Sequence, residues 1–190
     1  IKIFHISYLT QRRVCMNKKG YVHVYTGNGK GKTTCSIGLV IRALANDYKV
    51  SYIYFHKNPE KWGYGELKII EQLGSKVRGF ALDTPHFNKD IHFDEIRKDC
   101  LKGLDFIREE YKNNYDLMVI DEFNIALREK YLTIEEGLSI IKEKPENLEV
   151  VLTGRNALPE IIEIADLVTE MKEIKHYYSK GVKSRRGIER

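Results

Sequence analysis

The chain has 190 residues, enough for one domain with a substantial core, and its 42% hydrophobic and 31% charged residues exclude a disordered or fibrous protein. No apolar run approaches the length of a membrane-spanning helix. Three widely spaced cysteines (Cys15, Cys35 and Cys100) provide neither a disulfide framework nor a zinc pair, which points to a reducing, cytoplasmic setting.

The net charge of +5 is unevenly spread. Residues 1–20 carry five Lys/Arg and no acid, residues 172–190 carry seven against Glu173 and Glu189, and the stretch between them is net −5. Two basic ends on an acidic body read either as polyanion contacts or as solvated tails. The first 15 residues lack the charge-then-apolar order of a signal peptide. Met16 stands just before the first clear element, so residues 1–15 read as an upstream extension.

The elements then follow in order. Tyr21–Thr26 (YVHVYT) is a β-branched and aromatic strand. Lys32–Tyr48 predicts a helix with Ile37, Val40, Ile41 and Leu44 on its buried face. Lys49–His56 is a second strand, Gly65–Leu73 a short helix and Lys76–Phe80 a third strand, with loop-like residues at 81–92. Phe93, Ile96, Cys100, Leu104, Ile107 and Tyr111 form the apolar stripe of a long helix. Asp116–Ile120 is a nearly continuous apolar strand of the kind buried on both faces of a parallel sheet. Thr133 and Glu136 form a capping box for a helix that ends before Pro145. Leu148–Gly154 is a fifth strand, Leu158–Ala165 a helix and Asp166–Ile174 a sixth strand; the tail from Lys175 has little to pack. This alternation predicts an α/β fold around a mostly parallel sheet of about six strands.

Between the first strand and the first helix runs Thr26–Thr34, TGNGKGKTT. It resembles a phosphate-binding loop shortened by one residue, reading G-x-x-x-G-K-T from Gly27 to Thr33. Backbone N–H groups curling toward a helix N-terminus, with a lysine among them, suit bound phosphate. Gly27, Asn28, Gly29, Lys30, Gly31, Lys32, Thr33 and Thr34 are therefore the candidate nucleotide loop. Lys32 is expected to neutralise phosphate oxygens, and the Thr33 hydroxyl to reach Mg²⁺. The apolar fourth strand ends in Asp121-Glu122, carboxylates placed to reach that metal directly or through water. Together these imply a P-loop, RecA-like three-layer fold with a nucleoside triphosphate and magnesium site. No Ser/His/Asp or Cys/His constellation offers a protein nucleophile.

A third set of residues is more specific: Thr153-Gly154-Arg155, Ala165–Met171 (ADLVTEM), Lys175-His176, Gly181-Val182-Lys183 and Gly187-Ile188-Glu189. With the TGNGKGKTT loop, these resemble the P-loop type of ATP:cob(I)alamin adenosyltransferases over about Lys19 to Glu189. The resemblance implies transfer of the 5′-deoxyadenosyl group of ATP to the Co(I) of a reduced corrinoid, with release of intact triphosphate. It implies Lys32, Thr33 and Glu122 as the residues acting on the reacting ATP, and Thr33 and Glu122 as ligands of Mg²⁺ or Mn²⁺, with Asp121 behind them. Arg155 either meets the triphosphate or braces the turn after the fifth strand. Trp62, Phe87 and Phe93 are candidates for displacing the lower corrinoid ligand, or are packed aromatics. A homodimer and a reduced flavoprotein as electron donor are further implications. No membrane or nucleic-acid partner is expected, because no apolar run is long enough to span a membrane and Tyr177 and Tyr178 are the only aromatics in the basic tail. The organisation expected is a variable basic segment at 1–20, a P-loop domain at 21–174 and a basic tail at 175–190 on or near it. Ser184-Arg185-Arg186 departs from the small residue and Gln common in relatives. The alternative reading is a P-loop ATPase or nucleoside kinase that cleaves the phosphoanhydride; the four-cysteine zinc site usual in thymidine-kinase-like proteins has no counterpart here.

Overall fold

The computed structural model describes residues 19–85, 88 and 90–189. Six strands, β1 (Val22–Thr26), β2 (Val50–Phe55), β3 (Lys76–Phe80), β4 (Leu117–Asp121), β5 (Glu149–Thr153) and β6 (Leu167–Glu170), form one sheet in the order β3-β2-β4-β5-β1-β6. Every neighbouring pair is parallel. The connections carry α1 (Lys32–Leu44), α2 (Pro59–Trp62), α3 (Gly65–Gln72), α4 (Phe93–Tyr111), α5 (Phe123–Arg128), α6 (Ile134–Lys142) and α7 (Pro159–Ile164), and a 3₁₀ turn follows at Tyr177–Lys180. Parallel strands need such crossovers, which place helices over both faces of the sheet.

Strand alternation assigns each face its layer. Ile53, Phe55, Met118, Ile120, Val150 and Leu152 pack with Leu104 and Ile107 of α4, Phe123 and Leu127 of α5, Ile140 of α6 and Ile161 of α7. Their neighbours Tyr52, Tyr54, Leu117, Val119 and Val151 point the other way, onto Val40 and Ala43 of α1 and Leu67 and Ile70 of α3. The central strands thus bury both of their faces. The Thr133 capping box forms as expected: Thr133 Oγ1 accepts the Glu136 N–H at 3.2 Å, and Glu136 Oε2 accepts the Thr133 N–H at 2.7 Å.

Several expectations need correction. Ile41 is 46% exposed, while Lys32, Ser36, Val40 and Ala43 are the buried positions of α1. Ser36 can lie under the helix because its hydroxyl donates to the Thr33 carbonyl at 2.8 Å, satisfying it within the turn. Phe93 lies at the exposed end of the α4 stripe, and Ile96, Cys100, Leu104 and Ile107 carry its burial. β6 is shorter than expected and exposed throughout, as befits an edge strand. α2 and α5 are short helices within stretches not expected to be helical. Among the described residues no helix is long and apolar enough to cross a membrane.

Gly103 lets α4 approach the sheet. A Cβ there would stand 2.6 Å from Cε1 and 2.7 Å from Cζ of Phe55, a fully buried ring with nowhere to yield. Gly103→Ala is therefore expected to destabilise the fold by about 1–3 kcal/mol despite alanine's better helix propensity, read by urea unfolding.

Candidate functional site

β1 ends at Thr26 and α1 opens at Lys32, so the chain must turn within the glycine loop. Gly27 and Gly31 take φ values of 95° and 129°, a region readily open only to glycine. A Cβ on Gly27 would lie 2.5 Å from the Met171 carbonyl oxygen, and one on Gly29 would lie 2.7 Å from it. That oxygen accepts the Gly29 N–H at 2.6 Å, seating the loop on the segment after β6. The Lys32 ammonium turns into the loop and donates to the Gly27 and Gly29 carbonyls at 2.7 and 2.8 Å. Burial lowers its pKa from the ordinary lysine value, reinforced by Arg155 and Lys57 and opposed by Glu122 and Asp121.

The end of β4 supplies the acidic pair. Asp121 is fully buried and accepts from Lys57, from the Thr153 hydroxyl and, at 3.2 Å, from the Thr33 hydroxyl. Burial alone would raise its pKa, but the Lys57 charge and the bonds from Lys57 and Thr153 hold it below the ordinary aspartate value. Glu122 has φ 59°, a left-handed conformation, and lines the cavity where Asp121 does not; its N–H donates to Thr153 Oγ1 at 3.0 Å. Burial and the Asp121 charge raise the Glu122 pKa against the pull of Lys57, Lys32 and Arg155. Lys57, just beyond β2, donates to Thr33 Oγ1 at 2.8 Å and lies 3.9 Å from Glu122 Oε1. Burial works against its charge, yet Asp121 and Glu122 outweigh it, so Lys57 stays an ammonium.

A cavity of about 1120 Å³ opens over these groups. Gly29, Lys30, Gly31, Lys32, Thr33, Thr34, Glu122 and Arg155 line it. Gly27 and Asp121 are buried behind that wall, and Asn28 is exposed outside it. Trp62 and Phe93 are not among the lining residues; the Phe93 ring sits 5.1 Å from that of Tyr131, and Phe87 lies outside the described residues.

Sequence reasoning missed part of this wall. His56, Lys57 and Tyr64 line it, as do His176 and residues 186–189. The tail therefore packs over the loop, where Lys30 Nζ donates to the Ile188 carbonyl at 2.7 Å. Within it Glu189 accepts from Tyr177 and, at 3.0 Å, from Arg185 Nη2, so one of the extra basic residues is neutralised internally. The i,i+4 spacing of Arg185 and Glu189 was a local signal for that pairing. Nothing local announces Lys57, whose partner Asp121 is 64 residues away.

His56 follows β2 with φ 56°, is buried, and rings with Tyr131 at 5.4 Å. Burial brings its pKa down to about 4, helped slightly by Arg128 and opposed by the Ala81 backbone and Glu129. It is a neutral imidazole at physiological pH.

A glycine loop joining a central parallel strand to its helix, facing an acidic strand end, defines a P-loop α/β protein. The family described as ATP:corrinoid adenosyltransferase BtuR/CobO/CobP matches residues 18–190. The chain is 37% identical over 181 residues to a corrinoid adenosyltransferase of Sinorhizobium sp., an alignment covering 91% of this chain and 81% of the relative. It is 34% identical to one from Pseudomonas aeruginosa, covering 91% and 85%, and 32% identical to one from Escherichia coli (strain K12), covering 91% and 87%. The chain belongs to the ATP:corrinoid adenosyltransferase family.

Two outcomes are expected from the site's internal chemistry. Thr153→Val leaves a buried carboxylate oxygen and the Glu122 N–H without their shared partner, and should lower unfolding stability by about 1–3 kcal/mol in denaturant titrations. For His56 the unfolded imidazole takes up its proton near the ordinary value of 6.5 and the folded one only near 4, so its contribution is fully present above pH 6.5 and is lost as pH falls through that window. The stability lost between pH 7 and pH 5 should be about 2 kcal/mol smaller in His56→Phe than in the wild type.

Proposed function

We propose that this protein transfers the 5′-deoxyadenosyl group of ATP to the Co(I) of a reduced corrinoid, cobalamin or cobinamide, in adenosylcobalamin biosynthesis or salvage. Family membership along nearly the whole chain supports the pairing of substrates. The observation that carries the reading in the fold is a cavity lined by both the glycine loop and the C-terminal segment packed over it. Its 1120 Å³ lies at the upper end of the range of about 300–1,000 Å³ usual for a small-ligand site, and its open side leaves the loop accessible to a second reactant.

In this reading the Co–C5′ bond forms as the C5′–O bond breaks, and triphosphate departs with the bonding pair. The nucleophile belongs to the corrinoid, so the protein's work is orientation and charge stabilisation. Gly27–Thr34 hold the triphosphate, and Lys32 turns from the loop carbonyls to its oxygens. Arg155, an exposed cation at the cavity edge, adds to that field. The Thr33 hydroxyl and the Glu122 carboxylate, with Asp121 behind, form a hard oxygen set suited to Mg²⁺ or Mn²⁺, and the Lys57 ammonium already among them marks the spot as favouring positive charge. Such an ion, completing its shell with water and phosphate, would neutralise charge on the leaving group. A homodimer, a reduced flavoprotein donor, a cytoplasmic setting and the division into 1–20, 21–174 and 175–190 belong to the same reading.

The test is an anaerobic assay with ATP, Mg²⁺ and chemically reduced cob(I)alamin, resolving the phosphate products. A photolabile adenosylated corrinoid and intact triphosphate are expected, with the rate about 10²-fold lower or less in Lys32→Ala. ADP and phosphate with unchanged corrinoid would make the protein an ATPase or kinase.

A further inference from the structure

Lys57 belongs to none of the sequence signals, yet its ammonium stands where three oxygen donors converge. It donates to Thr33 Oγ1 at 2.8 Å, pairs with Asp121, and lies 3.9 Å from Glu122 Oε1. These are the oxygens assigned above to the divalent cation, and the inference rests on that reading. Mg²⁺ binds its oxygens at about 2.0–2.1 Å with near-octahedral demands. Held by Thr33 Oγ1, the ion would share that oxygen with the ammonium, and the two positive charges would stand within a few ångströms of each other in a poorly solvated site. The Tyr64 ring, 5.6 Å from the ammonium, closes one side, while the loop side opens toward the cavity.

We propose that Lys57 is a tethered competitor of the divalent cation. Two carboxylates and one ammonium sum to −1; a divalent ion added alone brings the cluster to +1, with cation facing cation. An ion arriving with a polyphosphate meets no such penalty, because the ammonium can leave Thr33 and pair with phosphate oxygens. Lys57 thereby makes metal loading depend on the triphosphate, and it is a positioning residue for that group.

The experiment measures Mn²⁺ binding by electron paramagnetic resonance, without nucleotide and with saturating tripolyphosphate. Lys57→Met is expected to bind Mn²⁺ alone at least tenfold more tightly than the wild type, and to lose most of the enhancement that tripolyphosphate gives the wild type. Lys57→Arg, which keeps the charge, should stay within about twofold of the wild type for Mn²⁺ alone. Should Lys57→Met lack the native circular dichroism spectrum, Lys57→Gln carries the same expectation, and the Arg variant remains as the charge control. Unchanged or weaker binding of Mn²⁺ alone in the neutral variants, with tripolyphosphate-dependent binding intact in the wild type, would overturn the competitor role while leaving the metal site standing. A gain in Lys57→Arg equal to that of the neutral variants would also overturn it, since packing rather than charge would then be responsible. Wild type that binds no Mn²⁺ even with tripolyphosphate would remove the metal reading and this inference together.

Discussion

The buried Asp121 carboxylate is the constraint on which the site depends. A charge without access to water remains ionised only if donors surround it, and removing one partner of such a pair costs about 3–5 kcal/mol. Asp121 takes its donors from Lys57 beyond β2, Thr153 at the end of β5 and Thr33 in the first turn of α1. One charge thus ties together the carboxyl ends of three adjacent strands and the start of the loop helix. Ligands of open α/β sheets bind at such strand ends. The demand for satisfaction at Asp121 is therefore also what fixes the floor of the cavity.

The same contacts divide labour between neighbouring carboxylates. Asp121, held below its ordinary pKa, is enclosed and serves as the anchor. Glu122, turned by its left-handed backbone, reaches the cavity wall and has a raised pKa. Thr153 links them, donating to one and accepting from the backbone of the other. Adjacent residues differ in role because one φ angle and one hydroxyl place them in different surroundings.

Strand periodicity, the glycine loop and the Thr133 capping box were legible because each is a pattern within a few residues. The buried face of α1 was misread because hydropathy places Ile41 inside and Ser36 outside, whereas Ser36 satisfies its hydroxyl on its own turn. α5 escaped notice because it is six residues long and starts from a left-handed glutamate that no propensity announces. The loop and the Asp121-Glu122 pair were found, and the cation between them was not. Lys57 reaches Asp121 only because β2 and β4 are neighbours in the sheet, with Tyr54 beside Asp121 in register. The tail's place over the loop likewise depends on tertiary contact, through Lys30 and Ile188.

The position of β1 has a consequence for how the molecule is made. The first strand lies between the last two: Val22 is in register with Val150, and His23 with Leu167. During synthesis β1 therefore waits through more than a hundred residues before either edge can be paired, and the cavity is not complete until residues 186–189 have cleared the ribosome. Such long-range closure slows folding and leaves apolar strand edges uncovered meanwhile. The glycine loop is thus among the earliest parts of the site to be translated and among the last to acquire its surroundings, which makes the nascent chain, more than the finished protein, the form in need of chaperone protection.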